Sequence, residues 1–531
     1  MIESATGCPP FGRRTIFLLV AVMVVTAGIR LPLLSVPFER DEGEYAYIAW
    51  RMGHNELPYR DWVDQKPPLV FWVYQAALAL PVDPVRAAHF TVLLFAAASS
   101  GALFVLARRF TNQFWGFVAA LLFAFLSCDP LAEGTAANTE IFMLLPLILS
   151  QIAFFRSAET SSKSMSILCG ALIGIAVGFK QVAAVNWLFV IALIPIFAKP
   201  TDRWKKTVRF AVWSFVGIVA IAGPISLYFW AQHGLGELVD NVFTHNLEYV
   251  GAMTWSDRLD FGRGTLARLA PSEVLVWIFC AAGLIVLAAA YKATRFTFLL
   301  GWLITSGVGV SASGYFFPHY FQQLLPAVAL VAVFGARWLS EVQIFGRSSF
   351  ARLALGAVLV AFPLKTLWPF WFNFTPADAV RRIYPGNFFA EMPEFSARLA
   401  QITSPDQRVF VFGAEPELLF YARRVSATRY IFLFPLYGPY RNVRDRQLAA
   451  AGEIQRNVPA AAVYVPNGLF FSPQTDQYFT EWTLSYLEHD FVPKTWLIKD
   501  SPATAQLVSA DTAAAPERFL AVLLVRKSPG Q

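Results

Sequence analysis

The segment RDEGEYAYIAWRMGHNELPYRDWVDQKPPLVFW, residues 40–72, sets acids and one lysine among aromatic rings in an otherwise oily chain. With Glu39 just upstream, its carboxylates are Asp41, Glu42, Glu44, Glu56, Asp61 and Asp64, and its lysine, Lys66, stands before Pro67 and Pro68. A carboxylate can take a proton from an attacking hydroxyl and an ammonium can hold a departing phosphate, so the two types together suit group transfer. Local structure competes for some of these residues. The spacing of Tyr45, Ile48, Ala49 and Met52 predicts an amphipathic helix over 42–53, lying along a membrane surface with Tyr47 and Trp50 as interfacial aromatics. Asp41 is then its N-cap, and Glu44 closes a capping box. Capping leaves Glu42 unexplained: beside Asp41 and near Glu39 it crowds like charges into one turn, which is costly unless a cation or a hydroxyl-bearing ligand meets them. Pro67 holds Lys66 extended, and Pro68 suits the first position of a helix over 69–79. Lys66 thus stands where free N–H groups and the helix dipole already favour an anion such as phosphate. Pairing of Lys66 with Asp64 or with lipid headgroups is the alternative.

Other polar residues interrupt apolar runs. Lys180 and Gln181 divide GIAVGFKQVAAVNW, and a charge within a membrane costs on the order of 3 kcal/mol on insertion scales, so Lys180 needs a partner or a purpose unless it snorkels from an outer turn. Asn138 and Glu140 open a span in ANTEIF, where capping competes with a site role. NVFTHNLEYV offers His245 and Glu248; YFFPHYFQQLLP offers His319, Tyr320, Gln322 and Gln323. A lone histidine is as readily a hydrogen-bonded structural group as a ligand.

These residues must be positioned by a membrane fold. Of 531 residues, 56% are hydrophobic and only 15% charged, with a mean hydropathy of +0.49. Apolar runs predict about eleven spans, near 15–36, 85–107, 114–128, 139–155, 165–180, 182–198, 208–231, 272–291, 296–313, 322–339 and 351–370. The first follows Arg13 and Arg14 and reads as a retained signal anchor. With the N-terminus cytoplasmic, Arg108, Arg109, Arg156, Lys163, Lys199, Arg203, Lys205, Lys206, Arg209, Lys292, Arg295, Arg347 and Arg352 fall in cytoplasmic loops, as the positive-inside rule asks. This topology accounts for much of the net charge of +7 and removes nucleic acid as a partner. It also places the acidic segment, the loops 129–138 and 232–271, and the C-terminal part on the outer face. Cys8, Cys128, Cys169 and Cys280 show no C-x-x-C spacing, which excludes a disulfide framework and a cysteine zinc site. The expected division is a transmembrane domain over 1–371, with a first outer loop at 37–84, and an extracytoplasmic domain over 372–531. In the latter, RVFVFG, SATRYIF, AAVYV, 493–498 and FLAVLLV read as strands, between helices from Pro416, within 441–458 and through 475–489. This is a small α/β domain without a G-x-G-x-x-G phosphate loop.

Asp41-Glu42 with EYAYIAWRM, then KPPLVFW, FKQVA and FPHYFQQLLP, resemble the polytopic glycosyltransferases of the GT-C fold, in the group of protein O-mannosyltransferases and lipid A aminoarabinose and galacturonosyl transferases. The resemblance covers about 15–340. It implies transfer of a sugar from a polyprenyl-phosphate donor to a glycolipid, glycan or protein acceptor of the cell envelope, such as lipopolysaccharide. That reaction belongs to the outer face of a bacterial inner membrane, among its lipids. It further implies Asp41 as base for the acceptor hydroxyl, Glu42 shaping the site, and Lys66 holding the carrier phosphate with help from Lys180; Tyr45, Glu140, His245 and His319 are the further candidates for substrate binding. Some relatives have a glutamate before the lysine that joins a histidine in a zinc site. Here that position is Gln65, so no metal ligand is assigned and a divalent metal stays open, with His245 as the matching histidine. Gly43-Glu44 also stands where some relatives carry an arginine after the acidic pair. A single displacement inverts the anomeric centre. A lipid-linked sugar flippase is the competing reading, but the acids gather in outer loops, and paired halves are not apparent.

Overall fold

The structure, a computed structural model, describes residues 11–251, 253–290, 293–341, 349–466, 476–501, 504–511 and 516–528. Cys8, Lys292, Arg347 and residue 475 of the expected 475–489 helix lie outside them. The chain forms two compact units: residues 1–34, 88–228 and 253–373 make one, and residues 35–87, 229–252 and 374–531 the other.

The first unit is helical. Every segment expected to span falls on a helix, and five are long and apolar enough to cross a bilayer: Arg13–Leu33, Pro84–Phe110, Thr139–Thr160, Pro200–Ala231 and Pro318–Glu341. Two expected spans are not straight. The 272–291 segment is one arm of a pair, Trp255–Leu269 with Val274–Ala289, bent by 107°, and 351–370 divides into Ser349–Ala361 and Leu364–Phe372, bent by 53°. Pro271 and Pro363 stand at the breaks, where a proline removes a helix N–H and obstructs the preceding turn. Counting each bent pair once gives up to seven spans among the described residues. Gln113–Leu126, Lys163–Phe179 and Gln181–Phe197 are shorter apolar helices. At 1.5 Å per residue the 14 residues of Gln113–Leu126 reach only about 21 Å, below the roughly 30 Å of a hydrocarbon core.

The second unit is built on a six-stranded mixed sheet in the order β2-β1-β3-β6-β4-β5. The strands are β1 (Arg408–Phe412), β2 (Val425–Ser426), β3 (Ala461–Tyr464), β4 (Phe491–Lys499), β5 (Ala505–Ser509) and β6 (Ala521–Arg526). β1 is parallel to β2 and β3, and β6 is antiparallel to β3 and β4. Pro416–Ala422, Val443–Asn457 and Tyr478–Asp490 are the accompanying helices. SATRYIF is a strand only at its start, because the following backbone bonds elsewhere: Arg429 N–H donates to Glu453 (2.9 Å), and Arg429 O accepts from Val63 N–H (3.1 Å). β5 and the helices Pro376–Ile383 and Met392–Ile402 were not anticipated from the sequence.

The Arg40–Met52 helix belongs to this unit. It does not lie along a membrane surface with one face free, because Tyr45, Tyr47 and Ile48 are all fully buried. Tyr45 meets Phe71 and Tyr74 of the Leu69–Leu78 helix edge to face, while Tyr47 Oη accepts from Ser426 N–H (2.9 Å) on another side. Gly43 lies directly against the backbone of Glu417, where an added Cβ would fall 2.3 Å from Glu417 Cβ and 2.5 Å from its Cα.

Candidate active site

The helix carrying Asp41 starts earlier than expected, and this decides which acids are committed to capping. Its N-cap is Glu39, which accepts from Glu42 N–H (3.2 Å), while Glu42 Oε2 accepts in return from Glu39 N–H (3.1 Å). Glu39 and Glu42 thus form the capping box expected of Asp41 and Glu44. The start is drawn upstream by Arg40, whose Nε donates to Ala414 O (2.5 Å) and whose guanidinium pairs with Glu415 (3.4 Å). Glu42 is therefore spent on satisfying the helix end, and Asp41, one residue into the helix, presents its carboxylate elsewhere.

Lys66 receives it. Lys66 Nζ lies 2.9 Å from Asp41 Oδ2 and 2.8 Å from Tyr45 Oη, so two residues of the Arg40–Met52 helix meet a lysine 25 positions along the chain. The Lys66 backbone is clamped as well. Its N–H donates to Asp64 Oδ1 (2.8 Å), its carbonyl accepts from Tyr59 Oη (2.6 Å), and Gln65 O accepts from Asn246 Nδ2 (2.9 Å). Pro68 is the N-cap of the Leu69–Leu78 helix rather than its first residue. Asp64, the alternative partner of Lys66, thus takes its backbone N–H while Asp41 takes the ammonium. The Asp41 and Lys66 side chains keep 21% and 15% of their surface exposed, enough for a ligand to reach both.

Acids without such exposure lie behind the pair. Glu44 is buried, and burial followed by the nearby Asp64 holds its carboxyl well above the usual range. Burial likewise raises Asp64 to about 7, against the pull of Lys66. With Glu44 and Asp64 both buried and both shifted towards the protonated form, Asp41 is the most accessible of these three acids to a hydroxyl. Tyr45 stays protonated, since burial and then Asp41 push its phenol well up.

His245 lies in the same unit, fully enclosed. Its Nδ1 is 3.0 Å from Arg446 Nη1, and its ring stands 4.5 Å from that of Tyr440. Burial, then Arg446, lowers its pKa to about 3, so the imidazole is neutral and accepts at Nδ1. A guanidinium against the imidazole and an amide at Gln65 are a poor donor set for a cation, and among the described residues no three His, Cys, Asp or Glu converge as metal ligands. The residues present do not fit a metal here.

The remaining predicted residues cluster in the helical unit. Lys180 is buried rather than snorkelling, ion-paired with Glu140, and its Nζ lies 3.6 Å from the centre of the Tyr320 ring. Glu140 also accepts from Thr139 Oγ1 (2.9 Å). His319 Nδ1 lies 2.5 Å from Glu133 Oε2, and its Nε2 lies 3.9 Å from Glu140. Arg30 fastens the loop that carries Glu133, donating to Gly134 O (2.7 Å) and Ser127 O (2.5 Å). Tyr59, Glu133 and Arg446 carry no site expectation in the sequence, and Asp64 only that of pairing with Lys66. Asp64, two residues before Lys66, carried a local turn signal, whereas Arg446 meets His245 across 201 positions and carried none.

Residues 65–230 match the family of dolichyl-phosphate-mannose-protein mannosyltransferases, a stretch that holds Lys66, Glu140 and Lys180. Among curated protein sequences none matches. The fold is similar to that of ArnT from Cupriavidus metallidurans bound to undecaprenyl phosphate, with a TM-score of 0.61 at 16% identity over 96% of this chain and 97% of that one. The apo state of the same protein gives a TM-score of 0.57. The oligosaccharyltransferase of Archaeoglobus fulgidus in its apo form gives 0.50 at 12% identity, over 96% of this chain and 76% of that one. The chain therefore has the GT-C fold, and over residues 65–230 it resembles the dolichyl-phosphate-mannose-protein mannosyltransferases.

Proposed function

We propose that this protein is a membrane glycosyltransferase that moves a sugar from a polyprenyl-phosphate carrier to a hydroxyl of a cell-envelope acceptor at the outer face of a bacterial inner membrane. The observation that carries the reading is the contact of Lys66 Nζ with both Asp41 and Tyr45 at an accessible edge of the unit. In this reading the donor's phosphodiester, one negative charge shared over two free oxygens, takes up Lys66 Nζ and separates it from Asp41, and the second charge that develops as polyprenyl phosphate leaves strengthens that contact. Asp41 then accepts the acceptor's proton as its oxygen bonds to the anomeric carbon. The bond from that carbon to the phosphate oxygen breaks, and its electron pair leaves with the polyprenyl phosphate, whose charge Lys66 and the Leu69–Leu78 helix terminus receive. One displacement of this kind inverts the anomeric centre. Undecaprenyl phosphate bound to ArnT, and dolichol phosphate bound to the Archaeoglobus oligosaccharyltransferase, support the carrier class.

The test is release of free polyprenyl phosphate by protein in lipid nanodiscs supplied with polyprenyl-phosphate sugars and envelope glycolipid. Asp41→Asn is expected to slow release by about 10²- to 10⁴-fold, the usual span of general-base loss. A folded Asp41→Asn protein transferring at the unmutated rate refutes the assignment, and movement of intact donor between leaflets without release replaces it with transport.

A further inference from the structure

The unit that holds Asp41 and Lys66 has a polar hollow of about 330 Å³, lined among others by Tyr59, Glu237, Asp240, Asn241, Tyr430 and Arg446. Its charges do not pair with one another. The polar partner of the Arg446 guanidinium is the neutral His245, with the Tyr440 ring 5.8 Å away, and among the described residues neither Glu237 nor Asp240 enters an ion pair. Opposite charges that surround one space yet stay apart favour a ligand that both donates and accepts hydrogen bonds at several points, flanked by flat phenol rings. That is the chemistry of a sugar ring. The backbone is unusual here too: Asp240–Thr244 is a π-helical turn, and Tyr59 has φ of 70°, a left-handed conformation that costs energy for a tyrosine. Both kinds of irregularity gather at functional sites.

The position of the hollow separates it from the reacting pair. Tyr59, on its wall, holds the Lys66 carbonyl, whereas Lys66 Nζ contacts Asp41 and Tyr45, and none of these three lines the hollow. We propose that this hollow binds a sugar ring of the acceptor glycan other than the ring that is glycosylated; the proposal rests on the reading of Asp41 and Lys66 given above. Remote binding of this kind orients the reacting hydroxyl and raises transfer to longer acceptors over short ones.

The experiment uses the full chain in nanodiscs with two acceptor probes, an intact envelope core oligosaccharide and the same molecule trimmed to its terminal sugar. The readout is kcat/KM for each, from release of polyprenyl phosphate. The unmutated protein is expected to prefer the intact probe, and Arg446→Gln to cut that preference at least tenfold. Asp240→Asn, on the exposed side of the hollow, tests the same point should Arg446→Gln fail to fold. Equal kcat/KM for both probes in the unmutated protein, or a preference untouched by both substitutions, overturns the proposal. If the unmutated protein releases no polyprenyl phosphate, it is the transferase reading that fails. Saturation-transfer NMR of the intact oligosaccharide on unmutated and Arg446→Gln protein then decides the hollow by itself: binding lost on substitution supports it, and no binding to either protein overturns it.

Discussion

Replacement of Gly43 by alanine perturbs the site without touching a charged group. The new Cβ would stand 2.3 Å from Glu417 Cβ, 2.5 Å from Glu417 Cα and 2.6 Å from its backbone nitrogen. Carbon atoms pack at about 3.5–4.0 Å, and the atoms in the way include backbone, so the Arg40–Met52 helix must retreat from the Pro416–Ala422 helix by more than about 1 Å. Overpacking of this size costs about 1–3 kcal/mol. The same movement carries Asp41 and Tyr45 with it, while Lys66 stays clamped by Asp64 and Tyr59. A displacement of about 1 Å between reacting groups can cost about 10²-fold in rate. Gly43→Ala is therefore expected to insert and fold, to lose several degrees of thermal midpoint in detergent, and to transfer sugar about 10²-fold more slowly. Gly43→Ala that retains both midpoint and turnover refutes the claim that this close helix contact sets the geometry of the pair.

Other expectations follow from the same contacts. Asp64 keeps its proton to about pH 7 in the folded protein, whereas its unfolded value is near 4. Stability therefore falls as pH rises between those two values and then levels, by on the order of 4 kcal/mol. Asp64→Asn keeps the acceptor for Lys66 N–H and should make the fall of the thermal midpoint between pH 5 and 8 shallower, with Glu44 supplying what remains, so an unchanged slope assigns the titration to another group. Lys180→Met leaves Glu140 buried without its ammonium and should cost about 3–5 kcal/mol, with much of it recovered in Lys180→Met/Glu140→Gln; a double variant no more stable than the single one removes the pairing argument. Glu42→Gln can still accept from Glu39 N–H and should retain transfer within a fewfold, whereas loss comparable to that of Asp41→Asn would return Glu42 to the chemistry.

The sequence alone determined the membrane class, the helical segments and the sheet-forming character of the C-terminal part, and it drew attention to the acid and lysine that the fold brings into contact. Each is written in short-range signals: apolar runs of a given length, alternation, and prolines that fix Lys66 before a helix. Tertiary structure decided which acids are used. Glu39 rather than Asp41 caps the helix because Arg40 reaches Ala414 and Glu415, more than 370 positions away. Tyr47 and Ile48 are buried instead of facing lipid because Ser426 and neighbouring residues close over a helix whose own pattern looked one-sided. Asp64 and Glu44 hold their protons to higher pH than free carboxyls because burial, which no local spacing reveals, raises them both. A cap, a hydrogen bond or a desolvated carboxyl depends on whichever atoms arrive from distant parts of the chain, and those arrivals are a property of the packed molecule.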